Sequence, residues 1–539
     1  MQPPTFNRPA AALGLLLLVA AFQRAGAAPP VGARAPSRAY APVIACAGLL
    51  RLDFSGVTDG PARITDAADA HVAQSRAAYC VVRGYVAPTI RFRLDLPTGG
   101  WTGRYLQGGC GGNCGTVMSR VAPDCDNRKA YDGSFAVGFE DSGHQGGDGV
   151  WALGGKRVRE DFAYRAAHAF AVAAKAIIRA YYGRGPAYSY FQGCSDGGRE
   201  AMVETQRYPR DFDGVIAGSP AFAIAEAMER FIWEARWGEV GGAPVFDAAS
   251  VAVLHDAVIA ACDRLDGVAD GQIDDPRRCH YDPALLQCPR AARTARCLTR
   301  EQVTAARKFY LGPVDSRGRH LYFGGEPYGS ELTWAQPFSL ATAGAFMLRE
   351  TVGNMIFLHR GVPASNPAAW PFDAAHLREL SVRGAVYDAR DSDLSAFRAR
   401  GGRLILWQGF ADPAAGAYGL PDYYARVARN AGGLAAARGF VRLFMVPAVY
   451  HCEGGYVPYQ EDYLGAIVDW VERGVAPDDV MAVADMGHGR RRERPVYAYP
   501  VEARYVGHGD VDDPGSFEPR MPAHLPSDEY RWIGEAAWR

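Results

Sequence analysis

Neither sign of charge prevails in this chain: 58 Lys and Arg stand against 59 Asp and Glu, a formal net charge of −1. No strong field recommends nucleic acid or an anionic membrane surface as a partner, and neither is expected. Long hydrophobic runs are scarce as well. The run from Ala10 to Phe22 falls far short of the about 20 residues that cross a bilayer, and no later segment reads as a span. Histidine and cysteine are not grouped at zinc-ligand spacing, which argues against zinc catalysis. Internal repeats and low-complexity linkers are missing too, so solenoids and strings of tethered domains drop out.

What is present is globular. Apolar residues make up 48% and charged residues 22%, with 62 Gly and 35 Pro, a composition of many ordered loops on a rigid scaffold. The chain is long enough for two domains, or for one large core with a substantial insertion. Arg8, the apolar run and the small residues Ala25-Gly26-Ala27-Ala28 form the three regions of a signal peptide over residues 1–28. A secreted or periplasmic protein is therefore expected, with disulfides permitted. The eleven cysteines are Cys46, Cys80, Cys110, Cys114, Cys125, Cys194, Cys262, Cys279, Cys288, Cys297 and Cys452. An odd count leaves at least one outside any internal pair. Cys262–Cys279 and Cys288–Cys297 read as local staples, while the pairing of Cys110, Cys114 and Cys125 stays open.

Short apolar runs bounded by turns occur at 105–107, 135–139, 188–192 and 215–217, and again at 404–407 and 441–446. An alanine-rich helix is expected from Asp161 to Tyr182, ending at Gly183, and a second from Arg199 to Tyr208. Between residues 222 and 400 the strand–helix rhythm weakens. That stretch, rich in aromatic residues such as Trp233, Trp334 and Phe346, reads as a lid inserted into an α/β core, with residues 29–221 and 401–539 as the core's two parts. Most of these aromatics are expected to fill the lid's own interior.

The chemistry concentrates at a few positions. Gly193-Cys194-Ser195-Asp196-Gly197 fits the G-x-S-x-G elbow that presents a nucleophilic serine between a strand and a helix. His451 is followed directly by Cys452. A Cys194–Cys452 disulfide would hold the two Cα atoms about 4.4–6.8 Å apart and bring Ser195 and His451 within reach. His144, in Asp141-Ser142-Gly143-His144, is the rival base, but it precedes the serine, against the order Ser, Asp, His. Asp412 follows an apolar strand and best fits the carboxylate that orients the base; Asp422 and Glu453 are the alternatives. The Asp196 backbone N–H is one expected donor to an oxyanion. A second should come from Gly108-Gly109-Cys110-Gly111-Gly112-Asn113, with Gly111 preferred over Gly109 or Cys110. Apart from this chemistry, the loop Asp263 to Asp275 collects hard oxygen donors suited to Ca²⁺. Asp263, Asp266 and Asp270 would supply carboxylates, and Val268 and Gln272 carbonyls. Such an ion would be structural.

Several motifs together resemble the tannase/feruloyl esterase family, which includes mono(2-hydroxyethyl) terephthalate hydrolases. They are the elbow extended through Gly198, Gln206-Arg207-Tyr208-Pro209, Asp211-Phe212-Asp213-Gly214 with Ala217-Gly218-Ser219-Pro220, and His451-Cys452. Asp141 to Gln145 and Trp470 to Gly474 with Ala476-Pro477 add to them, so the resemblance spans nearly the whole mature chain. It implies an α/β-hydrolase core with a lid, the triad Ser195, Asp412 and His451, disulfides Cys194–Cys452 and Cys46–Cys80, and the same calcium ligands. It also implies a small aromatic ester as substrate, with a hydroxycinnamoyl acyl group ahead of galloyl or terephthaloyl; a terephthalate monoester would call for an Arg or Lys facing Ser195. The non-enzymatic alternative is a secreted calcium-stabilised binding protein. Two departures stand out: Cys110 and Cys114 interrupt the early glycine-rich loop, where a small extra disulfide becomes possible, and one late pair of cysteines is missing. Tyr497 and Pro519 occupy positions where the family often carries a pair of cysteines, so the C-terminal tail must be held by packing or be looser.

Overall fold

The six apolar runs, completed by three earlier strands, become a sheet of nine strands among the described residues. In chain order they are β1 (Ala62–His71), β2 (Ala78–Val86), β3 (Ile90–Pro97), β4 (Arg104–Gly108), β5 (Phe135–Glu140), β6 (Tyr188–Cys194), β7 (Gly214–Gly218), β8 (Arg403–Gly409) and β9 (Val441–Val446). Their spatial order is β1-β2-β3-β5-β4-β6-β7-β8-β9. From β5 to β9 all neighbours are parallel, whereas β1, β2, β3 and β5 pair antiparallel. The computed structural model describes residues 38–539 except 74, 120–126, 290–295, 337–339, 524–526, 529–530 and 535–539. The expected signal segment and Cys125 lie outside the described residues.

Alternation along each central strand divides the core in two. Phe191, Val215, Ala217, Leu404 and Leu406 face one layer; Tyr190, Ile216, Ile405 and Trp407 face the other, as a two-residue period requires. Helices cover both faces, which is why β5, β7 and β9 are buried at every position. Helix α1 (Ala166–Tyr182) ends where Gly183 turns left-handed at φ 70° and packs on β3 and β5. It is preceded by a wider π-helical turn at Asp161–Arg165, so the expected helix over 161–182 is helical throughout but changes pitch. Helix α2 (Asp196–Arg207) leaves β6, three residues earlier than expected.

Between β7 and β8, among the described residues, no strand joins the main sheet. The inserted chain starts with helix α3 (Ile224–Gly238) and has a core of its own built from Phe246, Leu254, Val258, Phe309 and Trp334. The architecture is an α/β-hydrolase core with a helical insertion. After β9, helix α4 (Tyr463–Arg473) packs on β7 and β8, followed by the hairpin β10 (Asp479–Asp485) and β11 (Arg491–Tyr497).

Five disulfides close loops among the described residues: Cys46–Cys80, Cys110–Cys114, Cys194–Cys452, Cys262–Cys279 and Cys288–Cys297. The tail that lacks the two family cysteines is held by strand pairing. β12 (Glu502–Tyr505) runs antiparallel to β13 (Phe517–Arg520), setting Ala503 opposite Pro519, and the Arg494 guanidinium lies 3.7 Å over the Phe517 ring.

Candidate active site

Parallel register aligns the carboxyl ends of β6, β7, β8 and β9, the edge where open α/β sheets carry their ligands. Ser195 sits immediately past β6 at φ 64°, ψ −120°, a conformation a non-glycine residue holds only when its surroundings compel it. Small neighbours permit that turn. A Cβ on Gly193 would meet the Gly197 backbone at 2.4 Å, and one on Gly198 would meet the Gly218 carbonyl at 2.4 Å. The Ser195 N–H donates to Gly218 O at 3.1 Å, and Gly197 N–H to Cys110 O at 2.7 Å. The elbow is thus pinned both to β7 and to the glycine-rich loop after β4.

The loops after β8 and β9 bring two further side chains to the serine. His451 Nε2 lies 2.8 Å from Ser195 Oγ, and His451 Nδ1 lies 2.9 and 3.1 Å from the two Asp412 oxygens. Cys194 and Cys452 form the bridge beside them, with Cα atoms 5.8 Å apart. Asp412 is wholly buried. Its Oδ1 accepts Ala414 N–H at 2.7 Å and Ala415 N–H at 3.1 Å, and its Oδ2 accepts Gln408 Nε2 at 2.6 Å. Burial opposes its charge, but His451 and these amides outweigh burial and hold the carboxyl below its ordinary value. The alternatives are engaged elsewhere: Asp422 pairs with Arg426 at 2.8 Å, and Glu453 lies exposed on the cleft wall. His144 stacks on Trp151 and bonds through Nε2 to Asn113 O at 2.8 Å.

In the glycine-rich loop, Gly109 N–H donates to Gln192 O at 2.8 Å and Cys110 N–H to Glu200 at 3.1 Å. Those two amides are spent. Gly111 and Asp196 both line the cleft, and Asp196 opens α2, where a helix leaves its first N–H groups without internal partners. The Asp196 side chain turns inward to a buried two-point pair with Arg199, at 2.6 and 2.9 Å. Among the described residues, Cys110, Cys114, Asp196 and Glu200 bring one donor atom each within 4.8 Å of one another. That set could chelate a metal if its sulfurs were thiolates; here they are joined as a disulfide.

The cleft above Ser195 has a volume of about 740 Å³. One wall is α3, which presents Ile224, Ala227, Met228 and Phe231, a stripe at helical spacing. Tyr322 and Phe346 come from further along the insertion, and no Lys or Arg lines the cleft among the described residues. The stripe was open to detection from its i, i+3, i+4, i+7 pattern, but that pattern does not separate a pocket wall from ordinary core.

The residues of the expected calcium loop lie together in the insertion. Asp263 Oδ1 accepts the N–H groups of Asp270, Gly271 and Gln272 at 3.1, 3.1 and 3.3 Å, and Asp266 Oδ1 accepts Val268 N–H at 2.9 Å. Asp270 pairs with Arg494. The Gln272 side chain is committed to Asp274 and Tyr459, so only its carbonyl remains to offer. Asp266 Oδ2 and Asp270 Oδ1 are buried with no hydrogen-bond partner among the described residues. Burial and the neighbouring Asp274 and Asp270 push the Asp266 carboxyl up to about 8. Crowded, partly orphaned carboxylates of this kind fit a hard divalent cation.

A strand-edge serine, an imidazole bonded to its hydroxyl and a buried carboxylate behind the imidazole define a serine hydrolase on an α/β-hydrolase fold. The chain belongs to the tannase and feruloyl esterase family, whose sequence model matches residues 74–519, and it is an esterase of that type. It is 33% identical over 530 residues to an uncharacterized esterase of Xanthomonas campestris pv. campestris, covering 88% of this chain and 90% of that one. It is 33% identical to a mono(2-hydroxyethyl) terephthalate hydrolase of Piscinibacter sakaiensis, covering 82% and 85%. The crystal structure of feruloyl esterase B from Aspergillus oryzae superposes with a TM-score of 0.74 at 27% identity, covering 86% and 97%. Among the described residues, no helix is long and apolar enough to cross a membrane.

Proposed function

We propose that this chain hydrolyses esters of neutral aromatic acids, hydroxycinnamoyl esters foremost, through a covalent acyl-serine. Ser195 is the nucleophile, His451 the base and Asp412 the residue that orients it. The observation that carries this reading is the continuous bonding from Ser195 Oγ through His451 to Asp412, at 2.8 and 2.9 Å. His451 takes the hydroxyl proton as Oγ attacks the ester carbonyl. The N–H groups of Gly111 and Asp196 receive the oxyanion. Collapse expels the alcohol, protonated by His451; water activated by His451 then frees the acid. The apolar α3 stripe suits an aromatic ring. The lack of Lys or Arg among the described residues lining the cleft, with Glu453 on its wall, disfavours an anionic terephthalate monoester despite the 33% identical relative.

The lid comprises residues 222–400, and its acidic loop binds a structural Ca²⁺ through Asp263, Asp266, Asp270 and the Val268 and Gln272 carbonyls. The chain acts outside the cytoplasm, secreted or periplasmic, where the five disulfides among its described residues persist. A serine-directed fluorophosphonate tests the nucleophile: the mass adduct is expected on Ser195 and absent from Ser195→Ala. An adduct elsewhere, or none on folded protein, contradicts the assignment. For the ion, chelation is expected to lower Tm and added calcium to restore it. An unchanged Tm with no calcium by elemental analysis removes the claim.

A further inference from the structure

Arg230 on α3 is a wholly buried cation whose partners come from both the insertion and the core. Within the insertion it pairs with Glu234 at 2.8 Å and with Glu326. Its other bonds cross to the loop after β8. Nη1 donates to Pro413 O at 2.5 Å, and Nη2 donates to Ala414 O. Those two carbonyls belong to the same peptide units whose N–H groups, Ala414 and Ala415, donate to Asp412 Oδ1. Each planar peptide therefore bridges the guanidinium to the carboxylate, with its oxygen toward Arg230 and its N–H toward Asp412. A cation at one end polarises such a chain in the sense that favours an anion at the other. A planar fork with two donors also fixes the orientation of both peptides at once.

We infer that Arg230 is a positioning residue: through the 413–414 and 414–415 peptides it sets Asp412 against His451, and so makes triad alignment depend on the docking of α3. This rests on the triad reading above. A free-standing acid loop would let Asp412 swing with its peptides; held from the insertion, it cannot. The same helix presents Ile224, Ala227, Met228 and Phe231 to the cleft, so one element forms both the acyl wall and the support of the acid.

The test separates alignment from folding and from substrate binding. Removing Arg230 alone strands two buried glutamates, so Arg230→Met is combined with Glu234→Gln and Glu326→Gln, which withdraws the charges together. For this triple variant, KM on methyl ferulate should stay near wild type. Meanwhile kcat and the rate of fluorophosphonate labelling should fall together, by roughly ten- to a hundredfold. Arg230→Lys keeps the charge but lacks the fork, and should recover kcat only in part. If the triple variant fails to fold, Arg230→Lys in the unchanged background carries the test, with a reduced kcat expected at unchanged KM. A kcat within about twofold of wild type in either folded variant, or a rise in KM alone, overturns the inference. Ser195→Ala runs alongside: turnover surviving there would remove the triad reading itself, whatever Arg230 does.

Discussion

Ser195 sits at φ 64° in a turn pinned to the Gly218 and Cys110 carbonyls, and the residues behind it divide into what motifs disclose and what they hide. The elbow, His451 beside Cys452 and Asp412 at a strand end were legible because each lies at a strand end or turn with a recognisable local pattern. The orienting role proposed for Asp412 makes a direct prediction: Asp412→Asn should lower kcat by about 10⁴ with little change in KM, as the same change does in a serine-protease triad. Stopped assays on a neutral aromatic ester measure it, and a loss of only a few fold would leave the carboxylate no orienting role. Because its folded pKa is depressed, the stability Asp412 contributes is complete above its ordinary 3.8 and is lost only as pH falls through the lower folded value. Arg230 could not be read from sequence. Its function lies in two backbone carbonyls about 183 positions away, and a carbonyl leaves no mark on residue identity. The Cys110–Cys114 pairing was open for a similar reason, since three nearby cysteines admit several pairings and only the loop's path selects one.

At the scale of elements, strands β4 to β9 were legible as short apolar runs between turns. Strands β1 to β3 were not: β1 shows a burial pattern of mostly exposed residues, so its sequence lacks the continuous apolar run that marks the central strands. Helix α3 carries the most consequential hidden chemistry. Besides Arg230 it buries Glu229, which accepts a hydrogen bond from Trp370 Nε1 at 3.1 Å. Burial, with Asp373 and Glu226 nearby, pushes this carboxyl up to about 8. A raised folded pKa means the folded state holds the proton more tightly than the unfolded chain. The stability from neutral Glu229 is therefore complete below its ordinary 4.5 and is lost as pH rises through about 8. Glu229→Gln should remove that part of the decline, so Tm of the variant should gain on wild type as pH is raised from 5 toward about 9. Parallel Tm profiles would show that the group ionises without cost.

Across the whole molecule, the Cys194–Cys452 bridge closes a sequence separation of 258 residues and joins the turn carrying Ser195 to the loop carrying His451 across the insertion. Replacing both cysteines with serine should cost about 2–5 kcal/mol in urea unfolding and lower kcat, because the bridge fixes the neighbours of both reacting side chains. Unchanged stability and kcat would reduce it to an incidental crosslink. The architecture as a whole was legible because the order of serine, acid and base along the chain matches one fold. The way the insertion meets the core was not, since it is decided by packing between segments far apart in sequence.

The most direct measurement compares kcat/KM of the purified protein for methyl ferulate, methyl gallate and mono(2-hydroxyethyl) terephthalate, with Ser195→Ala as control. The account predicts a clear preference for methyl ferulate, weak turnover of the anionic terephthalate ester and none by the variant. Preference for the terephthalate ester would contradict the acyl-pocket reading, and turnover by Ser195→Ala would contradict the mechanism.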